Sequence, residues 1–142
     1  MTAERAMQIL QECREIAPIL WDCKRRIEQA KHALQYQQKL IATYGKERVK
    51  GGKAPGGIEE IIIKGEATIN KYRDKRANLM PYTEKARAVV ACCPKKWWAF
   101  LYDYYVKGVP VHTIAKKNGW CLQTVYNWKS RVPDMLKKVF DK

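Results

Sequence analysis

The stretch from Val111 to Ser130, VHTIAKKNGWCLQTVYNWKS, decides the fold of the C-terminal part of the chain. Two segments of helical period are separated by Gly119, where a tight turn needs the positive φ that glycine adopts at no steric cost. Ala115 is small at the position where a second helix must cross closely over the first. The pattern therefore predicts a helix, a tight turn and a second helix.

The polarity of the side chains in this stretch supports the same arrangement. The apolar residues fall at positions that pack inward, namely Ile114, Trp120, Val125 and Trp128. The polar residues of the second segment fall on its opposite face, namely Gln123, Thr124, Asn127 and Ser130. A helix with one apolar and one polar face packs on a core and leaves the polar face in solvent. We therefore expect these polar side chains to be accessible to a ligand.

A further helix is predicted before this pair, over residues 95–106. Its apolar face is too wide for a lone surface helix and comprises Trp97, Phe100, Leu101, Tyr104 and Tyr105. Gly108 suits the end of this helix, and Pro110 suits the first turn of the next one. Residues 93–142 are thus predicted to form a small three-helix domain that contains a helix-turn-helix.

The sequence pattern of the N-terminal part predicts one long helix, from about Ala3 to Tyr44, with the period of a coiled coil. Its seam positions alternate steps of four and three: Ile9, Cys13, Ile16, Leu20, Cys23, Ile27, Ala30, Leu34, Gln37, Ile41 and Tyr44. All of them except Gln37 are apolar or aromatic, which is a sustained heptad pattern. Gly45 is the predicted end of this helix.

A second seam of the same period follows after a Gly-rich connection, residues 46–57. Its positions are Ile58, Ile62, Gly65, Ile69, Tyr72, Arg76, Leu79, Thr83, Ala86, Val90 and Cys93, of which Gly65, Arg76 and Thr83 break the apolar pattern. Two such stripes joined by a short non-helical connection predict an antiparallel helical hairpin over residues 1–92. In the alternative arrangement, Pro81 separates two helices. The predicted class is all-α in either case.

The charge balance points to a polyanion as partner. The 142 residues carry 28 Lys and Arg against 14 Asp and Glu, a formal net charge of +14. Residues 93–142 contain 10 basic, 3 acidic and 10 of the aromatic residues, so a basic, aromatic-cored module is predicted there. Nucleic acid is the first candidate partner and an anionic membrane surface the second. No apolar run approaches the ~18 residues of a membrane span, so no membrane-inserted protein is expected.

Metal and enzyme chemistry are not expected. The five cysteines form no C-x-x-C pair, and neither His32 nor His112 lies at zinc-ligand spacing from a cysteine. An unpaired set of thiols is typical of a reduced, cytoplasmic protein. The acidic residues are dispersed along the helices, whereas a nuclease needs clustered carboxylates for its metal. We therefore expect no catalytic residues, no metal site and no cofactor.

Residues 93–142 resemble the region-4 DNA-binding domain of sigma-70 factors, and the whole chain resembles small phage transcriptional regulators of the ArpU and RinA type. The segments that carry the resemblance are ERVKGG (47–52), YVKGVPVHTIAKKNGW (105–120) and TVYNWKSRV (124–132). Two departures stand out. Cys121 occupies a position where such domains often have Ser, which predicts a poor N-cap. Pro133 is expected to interrupt the helix after Val132.

The resemblance implies a sequence-specific transcriptional regulator that acts near a promoter in the cytoplasm of a bacterial host, as an activator of late phage genes. It also implies RNA polymerase as a further candidate partner. Dimerisation through the long helices would suit a module with a single recognition helix and a short DNA site. The heptads do not show whether the seams pair within one chain or between chains.

The residues themselves indicate which side chains would contact double-stranded DNA. A helix in the major groove offers the side chains of its first two turns to the base edges. The predicted base contacts are Gln123, Thr124, Tyr126, Asn127 and Ser130, and the two carboxamides suit adenine. The predicted phosphate contacts are Lys95, Lys96, Lys116, Lys117, Lys129 and Arg131. Each basic residue taken singly is equally compatible with a purely solvated role.

Other functions remain open at this stage. The main alternative is a DNA-recognition subunit of phage DNA packaging, similar to a small terminase, although that family usually has its DNA-binding part first. A coiled-coil adaptor with an incidental basic tail is another alternative. A small helical bundle without a ligand is the plainest interpretation of residues 93–142.

Overall fold

The computed structural model describes residues 1–48 and 56–141, and every regular element in these ranges is helical. The elements are α1 (Ala3–Arg48), α2 (Gly56–Cys92), α3 (Lys95–Leu101), α4 (Val111–Asn118) and α5 (Leu122–Phe140). A π-helical turn, Tyr102–Val106, continues α3. The predicted all-α class is confirmed. None of the helices in the described ranges combines the length and the apolar character of a membrane span.

Two predicted helix ends are wrong: helix α1 does not end at Gly45 but continues to Arg48, and α5 runs through Pro133. Helix α2 runs through Pro81, as the continuous second seam predicts, and the alternative in which Pro81 separates two helices is wrong. Pro18 lies inside α1. All three prolines are exposed. Residues 49–55, the centre of the predicted Gly-rich connection, lie outside the described residues.

The chain contains two compact units, of which the first comprises residues 1–20 and 79–142. The start of α1 and the end of α2 pack with α3, α4 and α5 around one hydrophobic core. The largest fully buried side chains include Leu10, Phe100, Leu101 and Tyr105. The contacts thus group the chain differently from the predicted division at residue 92, which stays a prediction about independent domains.

Aromatic packing accounts for the density of this core. The Trp97 ring meets the Trp128 ring edge-on, with 4.6 Å between centroids, and Trp120 stacks on Trp128 at 5.8 Å. Phe100 stacks on Tyr104 at 5.5 Å. Edge-to-face and stacked pairs at these distances stabilise a core by roughly 0.5–1.5 kcal/mol each beyond the area they bury. A small unit needs this contribution because it buries little surface.

The second unit comprises residues 21–78, and its described residues belong to α1 and α2. The buried apolar side chains described there are Cys23, Ile27 and Ile69, and all three lie at predicted seam positions. The Arg26 guanidinium lies 5.3 Å from the Tyr72 ring centroid, and a Cβ on Gly65 would lie 2.8 Å from Leu34 Cδ2. These contacts place Tyr72 beside Arg26 and Gly65 beside Leu34.

Two glycines take the left-handed backbone conformation that their positions require. Gly108 and Gly119 both have φ of 68°, as predicted for the ends of the helices that precede them. Gly108 also allows a close approach to α1, because a Cβ there would lie 2.7 Å from Ala17 Cβ. No atom lies within 4 Å of the corresponding position at Gly119. The first glycine is therefore required by packing and backbone, the second by backbone alone.

Candidate nucleic-acid interface

Helices α4 and α5 are joined by a short turn that the backbone of Gly119 makes possible. Pro110 precedes α4 in an extended conformation, and the Trp120 N–H donates to the Ala115 carbonyl at 2.9 Å. Ala115 and Val125 are buried, as their predicted inward positions require. The remaining inward positions agree, with Ile114 buried and Trp120 and Trp128 half-buried. The turn and the apolar spacing thus orient α5 by packing.

One buried carboxylate fixes α4 to the preceding π-helical turn. Asp103 is only 5 % exposed, and Lys117 Nζ lies 3.3 Å from both of its carboxylate oxygens. Lys107 Nζ lies 3.9 Å from one of them. Lys117, a predicted phosphate contact, therefore has part of its charge balanced inside the protein. The role of Asp103 was missed because the residue lies 14 positions before its partner.

The face of α5 that points away from the core carries four of the five predicted base contacts. This outer face consists of Gln123, Tyr126, Asn127 and Ser130, all of them exposed. Tyr126 is 51 % exposed, which is unusual for a large side chain in an aromatic-rich unit. Thr124, the fifth predicted base contact, is half-buried at the border of this face. The core residues Val125, Val132 and Leu136 lie on the opposite side of the helix.

Hydrogen bonds along the outer face order its polar groups. Gln123 Nε2 donates to Asn127 Oδ1 at 3.1 Å, and Ser130 Oγ donates to the Asn127 carbonyl at 2.9 Å. The Gln123 carbonyl oxygen and the Asn127 amide protons stay available as an adjacent acceptor and donor. Adenine offers the complementary donor and acceptor in the major groove. The paired carboxamides therefore present one combined hydrogen-bonding edge to solvent.

The N-cap position of α5 is occupied by a cysteine. Cys121 has the extended conformation of an N-cap but makes no side-chain capping bond, as its predicted poor capping implies. Its sulfur lies 3.1 Å from Thr124 Oγ1. A hydrogen bond from that hydroxyl, followed by those of the backbone N–H groups in the first turn, lowers the pKa of Cys121. The thiolate is thus favoured at the positive end of the helix.

The predicted phosphate contacts lie on several elements, and all of them are exposed. Lys129 and Arg131 are on α5, Lys116 and Lys117 are at the end of α4, and Lys95 and Lys96 begin α3. Lys95 Nζ lies 6.0 Å from the centroid of Trp98, on its own helix. Lys129 Nζ lies 5.5 Å from the Tyr104 centroid. Residues two apart on a helix are about 200° apart, so Lys129 and Arg131 lie on opposite flanks of the outer face.

A basic residue that sequence analysis missed lies beside Lys129. Arg14 Nη1 donates to the Tyr104 carbonyl at 2.5 Å, and its guanidinium carbon lies 3.7 Å from the centroid of the Tyr104 ring. Arg14 and Lys129 line one open groove, together with Glu15 and Tyr104 among others. No local pattern signals this arrangement, since Arg14 and Tyr104 are 90 residues apart.

No family model, no curated protein sequence and no solved structure matches the chain. Within residues 1–48 and 56–141, no group of three or more His, Cys, Asp or Glu side chains is placed to bind a metal ion.

Proposed function

We propose that the protein is a sequence-specific DNA-binding transcriptional regulator of the ArpU and RinA type, a binding protein rather than an enzyme. The observation that carries this proposal is the exposed outer face of α5, where Gln123 and Asn127 present an ordered pair of carboxamides. Such a face on the second helix of a tight helix–turn–helix suits direct contact with bases in the major groove. In this proposal α4, its turn and α5 form the helix-turn-helix, with α3 as the third helix.

The charge of the chain supports DNA as the ligand. Residues 93–142 contain 10 basic and 3 acidic side chains. Basic residues lie on both flanks of the outer face, at the end of α4 and at the start of α3. Contacts from lysine and arginine to phosphates add affinity for all sequences and position the protein on the duplex. Base contacts from the outer face then select the site. Lys129 lines one groove with Gln123 and Asn127, so a candidate phosphate contact lies beside the candidate base contacts.

The long helices are proposed to form an antiparallel hairpin that joins two copies of the chain. Within residues 21–78 several large apolar side chains are exposed, including Trp21 (56 %), Tyr36 (62 %), Ile61 (48 %) and Ile63 (64 %). Exposed apolar groups on a helical pair favour association with another helical surface. Dimerisation would place two recognition helices on one operator, in keeping with the usual dimeric use of such motifs.

The context of action follows from the resemblance. We place the protein in the cytoplasm of a bacterial host, bound near a promoter and activating late phage genes, with RNA polymerase as a candidate partner. Light scattering of the full chain tests the dimer. A ring of many copies would favour a packaging subunit instead.

The direct test of DNA binding uses two duplexes, one with the motif that the wild type selects from random DNA (the cognate duplex) and one with that motif scrambled. Both are titrated with the wild type and with the Gln123→Ala, Asn127→Ala double variant. The wild type is expected to prefer the cognate duplex, and the double variant to bind both equally and weakly. Each bidentate base contact typically contributes about 1–3 kcal/mol of discrimination. Arg131→Ala is the matched control, because loss of a phosphate contact weakens binding to both duplexes alike. Unchanged discrimination in the double variant would contradict the assignment of this face.

A further inference from the structure

We propose that the groove between α1 and α5 binds a phosphate of the DNA backbone through Arg14 and Lys129, so that the first helix forms part of the DNA interface. This inference rests on the proposed DNA-binding function and adds to it a residue of the N-terminal helix. The orientation of Arg14, the position of the groove beside the outer face and the charges that line the groove all favour a bound phosphate.

Arg14 is fixed in place before any ligand arrives. Its guanidinium stacks 3.7 Å from the centroid of the Tyr104 ring, and its Nη1 donates to the Tyr104 carbonyl. A guanidinium has five N–H donors, so several remain for an anion after this bond is made. Because the side chain is half-buried and already oriented, little rotamer entropy is lost when it binds a phosphate.

Lys129 connects this groove with the outer face of α5. It lines the groove that contains Arg14, and it also lines the neighbouring groove that contains Gln123, Tyr126, Asn127 and Ser130. A helix that lies in the major groove has one phosphate strand on each flank. Arg131 lies on the flank opposite Lys129, so the two residues face different strands. Arg14 then adds a second contact to the phosphate strand that lies on the side of α1.

The charges in the groove favour an anion. Two cations, Arg14 and Lys129, lie 3.7 and 5.5 Å from the same ring centroid and line the same groove, which therefore carries two positive charges. One acidic residue, Glu15, lines the same groove and opposes the anion. Removal of its charge is therefore expected to strengthen binding, which is opposite in sign to the expected effect of removing Arg14.

The test measures the salt dependence of DNA binding by the full-length protein, using fluorescence anisotropy with a labelled duplex. Each phosphate contact contributes about 0.9 to the slope of log K against log salt, equivalent to about eightfold in affinity at 0.1 M salt. Arg14→Gln is expected to reduce the slope by that amount, Arg14→Lys to retain most of it, and Glu15→Gln to increase affinity severalfold. Arg25→Gln is the matched control, because Arg25 is paired with Asp22 on the same helix and lies in the other compact unit.

The outcomes separate this inference from the proposed function. An unchanged slope in Arg14→Gln, with wild-type binding intact, overturns the Arg14 site and leaves DNA binding standing. A wild type that binds no duplex at low salt overturns both. A merely structural role of Arg14 would lower the melting temperature without changing the slope. If Arg14→Gln does not fold, Glu15→Gln still decides, and unchanged affinity in that variant counts against the site.

Discussion

The two compact units share one heptad pattern but bury different numbers of side chains along it. In residues 1–20 and 79–142 the seam of α1 and α2 packs against three more helices, and side chains such as Leu10 and Phe100 become fully buried. Residues 21–78 have no helix other than α1 and α2 among the described residues, and Cys23, Ile27 and Ile69 are the buried apolar side chains described there.

This difference shows that a seam position specifies which way a side chain points but not how deeply it is buried. A two-helix pair covers one stripe of each helix, whereas a third layer covers the neighbouring positions as well. Apolar area removed from water is the main stabilising term in folding. We therefore expect the first unit to be the more stable one and to orient the outer face of α5 rigidly.

Truncation of one aliphatic core residue in each unit gives the largest expected effect. Leu101 is fully buried in the first unit, and Ile69 is 7 % exposed in the second. Leu101→Ala is expected at the upper end of the roughly 2–5 kcal/mol range for such substitutions, and Ile69→Ala at the lower end. Urea unfolding with amide hydrogen exchange resolved by unit measures both losses. A larger loss at Ile69 would contradict the comparison.

Substitution of three glycines by alanine compares the loss of stability at a rigid backbone contact with the loss at a contact to a flexible side chain. Gly108→Ala is expected to destabilise by about 2–4 kcal/mol, because φ is positive and the new Cβ would lie 2.7 Å from Ala17 Cβ. Gly65→Ala in the second unit is expected within about 1 kcal/mol of the wild type. There the helix propensity of alanine offsets a contact with the mobile end of Leu34.

Gly119→Ala is the control for the backbone term alone. Its φ equals that of Gly108, but no atom lies within 4 Å of the added Cβ. A loss of about 1–2 kcal/mol is expected from conformation. Thermal melts of the three variants decide the order, and equal losses at Gly108 and Gly119 would show that the approach to Ala17 is unimportant.

The reactivity of the five cysteine thiols measures local opening of the structure at different places. Cys121 and Cys92 are exposed, whereas Cys13 and Cys93 in the first unit and Cys23 in the second are buried. At pH 7.5 Cys121 is expected to react first with iodoacetamide, because its lowered pKa increases the thiolate fraction. Burial raises the pKa of Cys93 to about 11, so its thiolate is scarce at this pH.

Mass spectrometry of the alkylation time course tests the comparison of the units. We expect Cys23 to be labelled at least about tenfold faster than Cys13, because a unit with fewer buried side chains opens more readily. Equal protection of Cys13 and Cys23 would indicate that both units open together.

A buried hydroxyl gives the smallest expected effect. Thr83 is 5 % exposed, and among the described residues its Oγ1 makes no hydrogen bond of good geometry. One polar neighbour is the Cys13 thiol: burial raises the pKa of this thiol, and the contact with Thr83 only partly opposes that rise, so the contact is a weak one. Thr83→Val is expected to stabilise the protein by about 1 kcal/mol, since it removes an unsatisfied polar atom and keeps the shape. Thr68→Val is the matched control, because that exposed hydroxyl donates to the Lys64 carbonyl at 2.9 Å. Calorimetry that shows destabilisation by Thr83→Val would indicate that the hydroxyl has a partner.

The sequence predicts the helices and the positive φ of both turn glycines because these depend on local period and backbone sterics. It fails at Pro133, since a local pattern does not show that a proline on the exposed side of a helix is accommodated without ending it. It also misses the π-helical turn, Tyr102–Val106, where Asp103, Tyr104, Tyr105 and Val106 are buried in succession. Tertiary packing, rather than local preference, selects that geometry.

The candidate site divides in the same way. The exposed positions of Gln123 and Asn127 follow from helical period and agree with the structure. The pairing of Lys117 with Asp103 and the stacking of Arg14 on Tyr104 join distant segments, which no periodic pattern reveals. The sequence therefore predicts the face of α5 that would contact bases more completely than it predicts the basic residues around that face.

The most direct test of the central claim is selection of bound fragments from random duplex DNA, carried out in parallel with the wild type and with the Gln123→Ala, Asn127→Ala variant. The account predicts that the wild type enriches one short sequence motif and that the variant enriches none. Enrichment of the same motif by both proteins, or of no motif by the wild type, would contradict the claim that the outer face of α5 recognises DNA sequence.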